Sequence, residues 1–199
     1  MPMALYERLQ SCLDIMVKKV TVRRLESDDL ETVLSWRNDP RVRSHMFNSN
    51  LITAAEHLAW FKSSARDSRR CQLLVLKQDI PFGFAQFHIS HCKAVADWGF
   101  YVDPNGPKGQ GQALGQSVLS FGFDELKLLR VTGQVLSHNT RSIALHKRMG
   151  FSYEGELRSH HFTKSVYQNV HLFGLLASEW KNDNAVMALT ERISDKTGG

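Results

Sequence analysis

"PKGQGQALGQSVL", residues 107–119, sets Gly109, Gly111 and Gly115 where an apolar helical period begins, with Gly106 just ahead. Glycine costs about 1 kcal/mol against alanine inside a helix. A cluster at a helix entrance therefore marks a backbone that needs positive φ or must come close to something. The first turn of a helix has unpaired N–H groups and the positive end of the dipole, so glycines there let a phosphate rest on the backbone. A glycine-rich turn that merely caps a helix looks the same, and this stretch alone leaves both readings open.

The whole chain narrows the choice. Its 199 residues suit one domain with an ample core, and 42% hydrophobic with 23% charged residues is ordinary globular composition. No run approaches the roughly 18 apolar residues of a membrane span. The opening "MPMALYERLQSCLDIMVKK" lacks the basic start, apolar middle and small-residue cleavage site of a signal peptide. Cys12, Cys71 and Cys92 are odd in number and widely spaced, which indicates neither a disulfide framework nor a zinc ribbon, and makes the cytoplasm the expected compartment. The net charge of +5 favours anionic ligands, but the cations are scattered, so a phosphorylated small molecule is expected rather than nucleic acid or a membrane. Residues 1–17 read as an N-terminal extension, 18–180 as the folded domain and 181–199 as a polar tail.

The periodicities give a mixed α/β order. "KKVTVRR" alternates like a strand, and "ESDDLETVLSWRND" follows as a helix capped by Ser27 or Asp28 and ended by Pro40. "TAAEHLAWF" opens with Thr53 and Glu56 at capping-box spacing and puts His57, Trp60 and Phe61 on one face. "QLLVLK", "FAQFHIS" and "AVADWGFYV" form an antiparallel meander. The glycine loop and its helix come next, then a strand at "RVTGQVLS", a helix at "NTRSIALHKRMGF" ended by Gly150, and a late strand at "YQNVHLFGLL". One main sheet flanked by helices is the expected architecture.

"GPKGQGQA" entering a helix, with "NTRSIALHKRMGF" after the next strand, resembles the GNAT superfamily of acetyl-CoA-dependent N-acetyltransferases. Lys108, Gly109, Gln110, Gly111, Gln112 and Ala113 match its first signature, with lysine where arginine or glutamine is usual. Asn139, Ser142, His146, Arg148, Gly150 and Phe151 match the second. The resemblance implies a mostly antiparallel mixed sheet whose central strands splay around acetyl-CoA. Backbone N–H groups from Gln110 to Ala113 would hold the pyrophosphate, with Lys108 adding charge. Backbone near Phe100, Tyr101 and Val102 would line the pantetheine and polarise the thioester carbonyl. Asn139, Ser142 and Arg148 would complete the cofactor site. His146 stands where relatives keep a tyrosine that protonates the departing thiolate, so the catalytic acid is expected there. Gln134 lies near the place of a carboxylate found in many relatives, and an amide cannot serve as base.

"LSWRNDPRVRSHMFN" followed by "EHLAWF" resembles the branch that holds ribosomal-protein N-terminal acetyltransferases and the nucleotide-sugar acetyltransferases of pseudaminic acid biosynthesis. The likeness points to the 4-amino group of a UDP-linked amino-deoxysugar as acceptor. A peptide N-terminal acetyltransferase is the alternative, and a non-catalytic acyl-CoA-binding module a third. Arg37, His57, Trp60 and Trp98 offer the cation and flat surfaces that such a sugar nucleotide needs. No metal is expected, since His88 and His91 fall on opposite faces of a strand. A homodimer is left open.

Overall fold

The computed structural model describes residues 20–163 and 166–180. The expected extension over 1–17 and tail over 181–199 lie outside the described residues. Seven strands form one sheet in the order β1-β2-β3-β4-β5-β7-β6. They are β1 (Val20–Arg24), β2 (Arg70–Lys77), β3 (Ile80–Ile89), β4 (Val95–Val102), β5 (Arg130–Leu136), β6 (Ser152–Thr163) and β7 (Val166–Leu176). Every neighbouring pair is antiparallel except β4 and β5. Among the described residues the α-helices are α1 (Leu30–Asn38), α2 (Pro40–Arg43), α3 (Ala54–Ala65), α4 (Gln110–Ser120), continued by a π-helical turn over Phe121–Glu125, and α5 (Thr140–Arg148). No helix among the described residues is long and apolar enough to cross a membrane.

The alternation of each strand sorts side chains onto two faces. Cys71, Leu73 and Val75 of β2, Phe87 of β3 and Trp98 of β4 join Leu114, Val118 and Leu145 of α4 and α5 in the larger core. Leu74, Leu76 and Phe84 turn the other way, onto Val33 and Trp36 of α1, with Trp60 and Phe61 of α3 and Tyr101 of β4 packed against them. The sheet is thus covered on both faces, and the helices on each face belong to different parts of the chain.

The helix starts differ from expectation in one place. Neither Ser27 nor Asp28 caps α1. Glu26 caps the entrance instead, opening a turn of 3₁₀ helix over Ser27–Asp29 that leads into α1, and the Asp29 carboxylate closes the capping box by accepting from the Glu26 N–H at 2.9 Å and from Arg23 at 2.7 and 2.8 Å. Asp29 is chosen because its carboxylate also finds a cation from β1, a partner that the local sequence does not reveal. Pro40, expected only to end α1, opens α2 at its first position. Thr53 and Glu56 form the expected capping box of α3, each side chain bonding the other's backbone N–H.

The two central strands pair over a short stretch and then part. Val95, Ala96 and Asp97 of β4 align with Arg130, Val131 and Thr132 of β5, and the side chains of Thr132 and Asp97 bond at the last rung. Beyond it β4 follows β3 as far as Val102, while β5 follows β7 as far as Leu136. Trp98–Val102 and Gly133–Leu136 therefore face each other unpaired, which is the splay implied by the resemblance. His146 of α5 fills its base. Its Nε2 accepts the Trp98 indole N–H at 3.1 Å, and its Nδ1 lies 2.8 Å from the Ser142 carbonyl, to which it donates. Phe173 of β7 stacks on the imidazole with ring centres 5.0 Å apart, and Phe151 stacks on Trp98 at 5.4 Å.

Gly133 makes this contact possible. A Cβ there would stand 2.5 Å from His146 Nε2 and 3.0 Å from Trp98 Nε1, both in rings locked by their neighbours. Gly133→Ala is expected to lower stability by about 1–3 kcal/mol through overpacking, read as a fall in urea midpoint. Gly111→Ala, whose Cβ would meet Leu145 at an ordinary 3.5 Å, should leave the midpoint unchanged or raise it. Equal midpoints for the two variants would show that the ring at the splay yields freely.

Candidate active site

Two features converge on the gap between β4 and β5. The first is the loop 103–109 with the start of α4. Gly109 caps α4 at φ +91°, in the left-handed region, and a Cβ there would meet nothing within 4 Å. The glycine is needed for its backbone angle, and the space before it is open. The N–H groups of Gln110 and Gly111 have no acceptor within the helix, as first-turn geometry dictates. The Gln110 side chain folds back over Gly106, and its buried Oε1 has no partner. Open space and free helix N–H groups in one loop fit a phosphate-bearing ligand.

The neighbouring expected contacts fall out unevenly. Lys108 and Gln112 are exposed beside the loop, and Ala113 is half-buried. Gly111 turns its missing side chain toward Leu145 of α5, so close packing of the helices also claims it. Asn139 caps α5, with its Oδ1 accepting from the Ser142 N–H at 3.1 Å. Arg148 is exposed at the far end of α5, about 13 Å of helix from Asn139. The structure does not bring Arg148 together with the others. Arg41, absent from the expectations, anchors the loop by donating to the Pro104 carbonyl at 2.9 Å and to Asn105 at 2.8 Å, while Asp39 pairs with it.

The second feature is a cavity of about 470 Å³ on the α1 and α3 side of the sheet. Arg37, His57 and Trp60 line it together, as the sequence suggested. Phe84, Gln86, Gly99, Phe100 and Tyr101 make its floor, and the segment after α2, with Met46, Asn48 and Ile52, makes its outer wall. The floor reaches the unpaired part of β4, so the cavity opens at the splay. This segment, a strap over residues 46–52, and Tyr101 are lining residues that the sequence reading did not assign to the acceptor side. Strand parity in "ADWGFYV" carried the signal for Tyr101, because it puts Gly99 and Tyr101 opposite Trp98 and Phe100.

That parity also corrects the reading of Trp98. Its ring is 7% exposed in the larger core, on the face away from the cavity, and its N–H is spent on His146. It is no acceptor contact. His146 likewise has no proton to offer a departing thiolate in this arrangement. Its one N–H is donated to Ser142, its other nitrogen accepts from Trp98, and burial holds its pKa below the usual range, which keeps it neutral. The residue that replaces the family's tyrosine acts here as a brace between α5 and β4.

The electrostatics of the cavity are one-sided. Arg37 donates to the Asn48 carbonyl and Arg43 to the Ser49 carbonyl at 3.0 Å, and neither has a carboxylate partner among the described residues. Burial, with Arg43 adding to it and Tyr101 opposing, lowers the Arg37 pKa from its usual value. One buried N–H of each guanidinium lacks an acceptor. The carboxylate in the wall, Glu56, is turned into the Thr53 cap. His57 is 4% exposed and stacks on Trp60 with ring centres 5.0 Å apart. Burial pushes the Tyr101 phenol up, against the pull of Arg37, so it stays protonated. No group of three or more His, Cys, Asp or Glu among the described residues could hold a metal ion.

Comparison with known proteins agrees with this geometry. Residues 19–152 match the family model described as an acetyltransferase (GNAT) domain. The chain is 27% identical over 141 residues to acetyltransferase PseH of Campylobacter jejuni, covering 71% of this chain and 88% of that protein. It is 24% identical over 174 residues to the putative ribosomal N-acetyltransferase YdaF of Bacillus subtilis, covering 82% and 94% of the two chains. A crystal structure of spermidine N-acetyltransferase from Vibrio cholerae, in complex with CoA and spermine, superimposes with a TM-score of 0.75 at 23% identity, over 81% of this chain and 97% of that one. The parted strands, the glycine loop at a helix start and the family match over most of the folded region place this chain in the GNAT family of N-acetyltransferases.

Proposed function

We propose that this N-acetyltransferase moves the acetyl group of acetyl-CoA to the 4-amino group of a UDP-linked amino-deoxysugar. GNAT acetyltransferases use acetyl-CoA, and the residues at the glycine loop fit it. Gly109 supplies the left-handed corner, Gln110 to Ala113 supply the helix N–H groups for the pyrophosphate, and Lys108 adds a mobile cation. The unpaired edge of β4 over Phe100–Val102 offers the backbone groups that a pantetheine arm can pair with.

The observation that carries the choice of acceptor is Arg37, half-buried in the cavity wall and held by the Asn48 carbonyl rather than by a carboxylate, with the Arg43 charge acting on it from outside the lining. An uncompensated cation in the cavity wall attracts a diphosphate and repels a polyamine. At about 5 Å and an effective dielectric near 20, the repulsion of one ammonium is roughly 3 kcal/mol. The similarity to PseH supports the same reading. Trp60, stacked face to face on His57, adds an aromatic ring to the cavity lining for a sugar or a base to pack on.

The deciding experiment offers acetyl-CoA with the UDP-aminosugar, with spermidine and with ribosomal N-terminal peptides, and weighs the products. One acetyl group gained by the sugar nucleotide is expected. Acetylated spermidine or peptide beside untouched sugar nucleotide overturns the proposal.

Two variants separate the ligands. Arg37→Ala should weaken UDP binding about ten- to a hundredfold, the worth of a hydrogen bond to a charged group, with coenzyme A affinity kept. Unchanged UDP binding would return Arg37 to tying down the strap through Asn48. Gly109→Ala should weaken coenzyme A binding in calorimetry about tenfold, because forcing φ +91° on alanine costs roughly 1–2 kcal/mol and shifts the first-turn N–H groups. Normal affinity there would show that the phosphates sit elsewhere.

A further inference from the structure

Gln134 leaves the reaction without a base at its expected place, and the side chain is exposed on β5. The acceptor nitrogen arrives as an ammonium and must lose a proton before it can attack. We infer that His57 is the proton acceptor that frees the amine.

Four observations place it in that role. His57 lines the cavity that opens at the splay, together with Phe100 and Tyr101 from the unpaired part of β4. Its ring is 4% exposed, yet neither ring nitrogen has a hydrogen-bond partner among the described residues. His146, which serves packing, gives its N–H to the Ser142 carbonyl at 2.8 Å. His57 instead keeps its nitrogens for a ligand. Third, the stack on Trp60, which itself packs edge-on against Phe84 at 6.0 Å, holds the ring plane without consuming a nitrogen.

The fourth is the charge around it. Arg37 comes from α1, Tyr101 stands on β4, and Glu56 precedes it on α3 with its carboxylate drawn into the Thr53 cap. Burial first, and then Arg37, hold the His57 pKa below its ordinary value. The ring is therefore neutral at pH 7 and able to accept.

The step balances without a further reagent. One proton passes from the acceptor ammonium to a ring nitrogen of His57. The freed lone pair forms the C–N bond at the acetyl carbonyl, and the C–S bond breaks with its electron pair on sulfur. The second nitrogen proton ends on the sulfur as the thiol, and His57 returns its proton to solvent. The sum is ammonium plus acetyl-CoA giving amide, coenzyme A thiol and one proton.

This inference rests on the acetyl-transfer reading but not on the identity of the acceptor. The experiment uses whichever amine of the panel above is acetylated, so a wrong acceptor is seen as a different product and not as a failure of His57. Wild-type kcat/KM should fall as pH drops through the lowered His57 pKa, because the protonated ring cannot accept. His57→Gln keeps bulk and polarity and orphans no partner; it should lower kcat about 10²-fold and remove that acid limb, with coenzyme A affinity within twofold in calorimetry. A full-speed His57→Gln enzyme, or one that keeps the same limb, overturns the inference, as does a rise in acceptor KM with kcat unchanged, the mark of a binding contact. Independently of turnover, NMR titration of the His57 ring in the wild-type protein should show it neutral at pH 7. A ring still protonated there overturns the inference even if no amine in the panel reacts.

Discussion

Everything functional in this chain depends on β4 and β5 letting go of each other after Asp97 and Thr132. A parallel pair gains one regular set of hydrogen bonds per rung, and leaving those bonds unmade has a cost that something else must offset. The offset is the packing at the base of the gap, where His146 takes the Trp98 N–H and lies under Gly133, with Phe151 and Phe173 closing the sides. Beyond Thr132 the facing edges of β4 and β5 stay unpaired.

The gap also joins the two faces of the sheet. On one face α4 presents its N-terminus and the Gly109 corner. On the other the cavity between α1, α3 and the strap reaches β4 at Phe100 and Tyr101. Two ligands can therefore approach the same point from opposite sides without sharing contacts. In the proposed reading their recognition is separable in energy as well as in space, a helix dipole serving the first and Arg37 of the cavity wall the second.

His57 and His146 show how little residue type alone decides. Both rings are buried, and burial holds both below their usual pKa. The difference is in partners. His146 has one at each nitrogen and is a brace; His57 has none among the described residues and faces a cavity. The chemistry that a histidine can perform is set by which of its nitrogens its neighbours leave unclaimed.

The sequence alone determined the order of elements, the meander, the glycine corner and the helix starts that depend on near neighbours. The Thr53–Glu56 box and the two-residue turn at Gln78 and Asp79 are local in this sense, because their bonds span a few residues. Arg37, His57 and Trp60 were also legible as a group, since two of them share one helix face and the third stands one turn from a helix end. What the chain could not reveal was everything decided by contacts across long separations. The capping box before α1 closes on Asp29 because Arg23 of β1 reaches it, Trp98 leaves the acceptor side because β4 pairs in a particular parity, and His146 loses its free proton because Trp98, forty-eight residues away, donates into it. A side chain's residue type and local period are written in the sequence, but whether its polar atoms are spent or free is known only once the tertiary structure has supplied their partners.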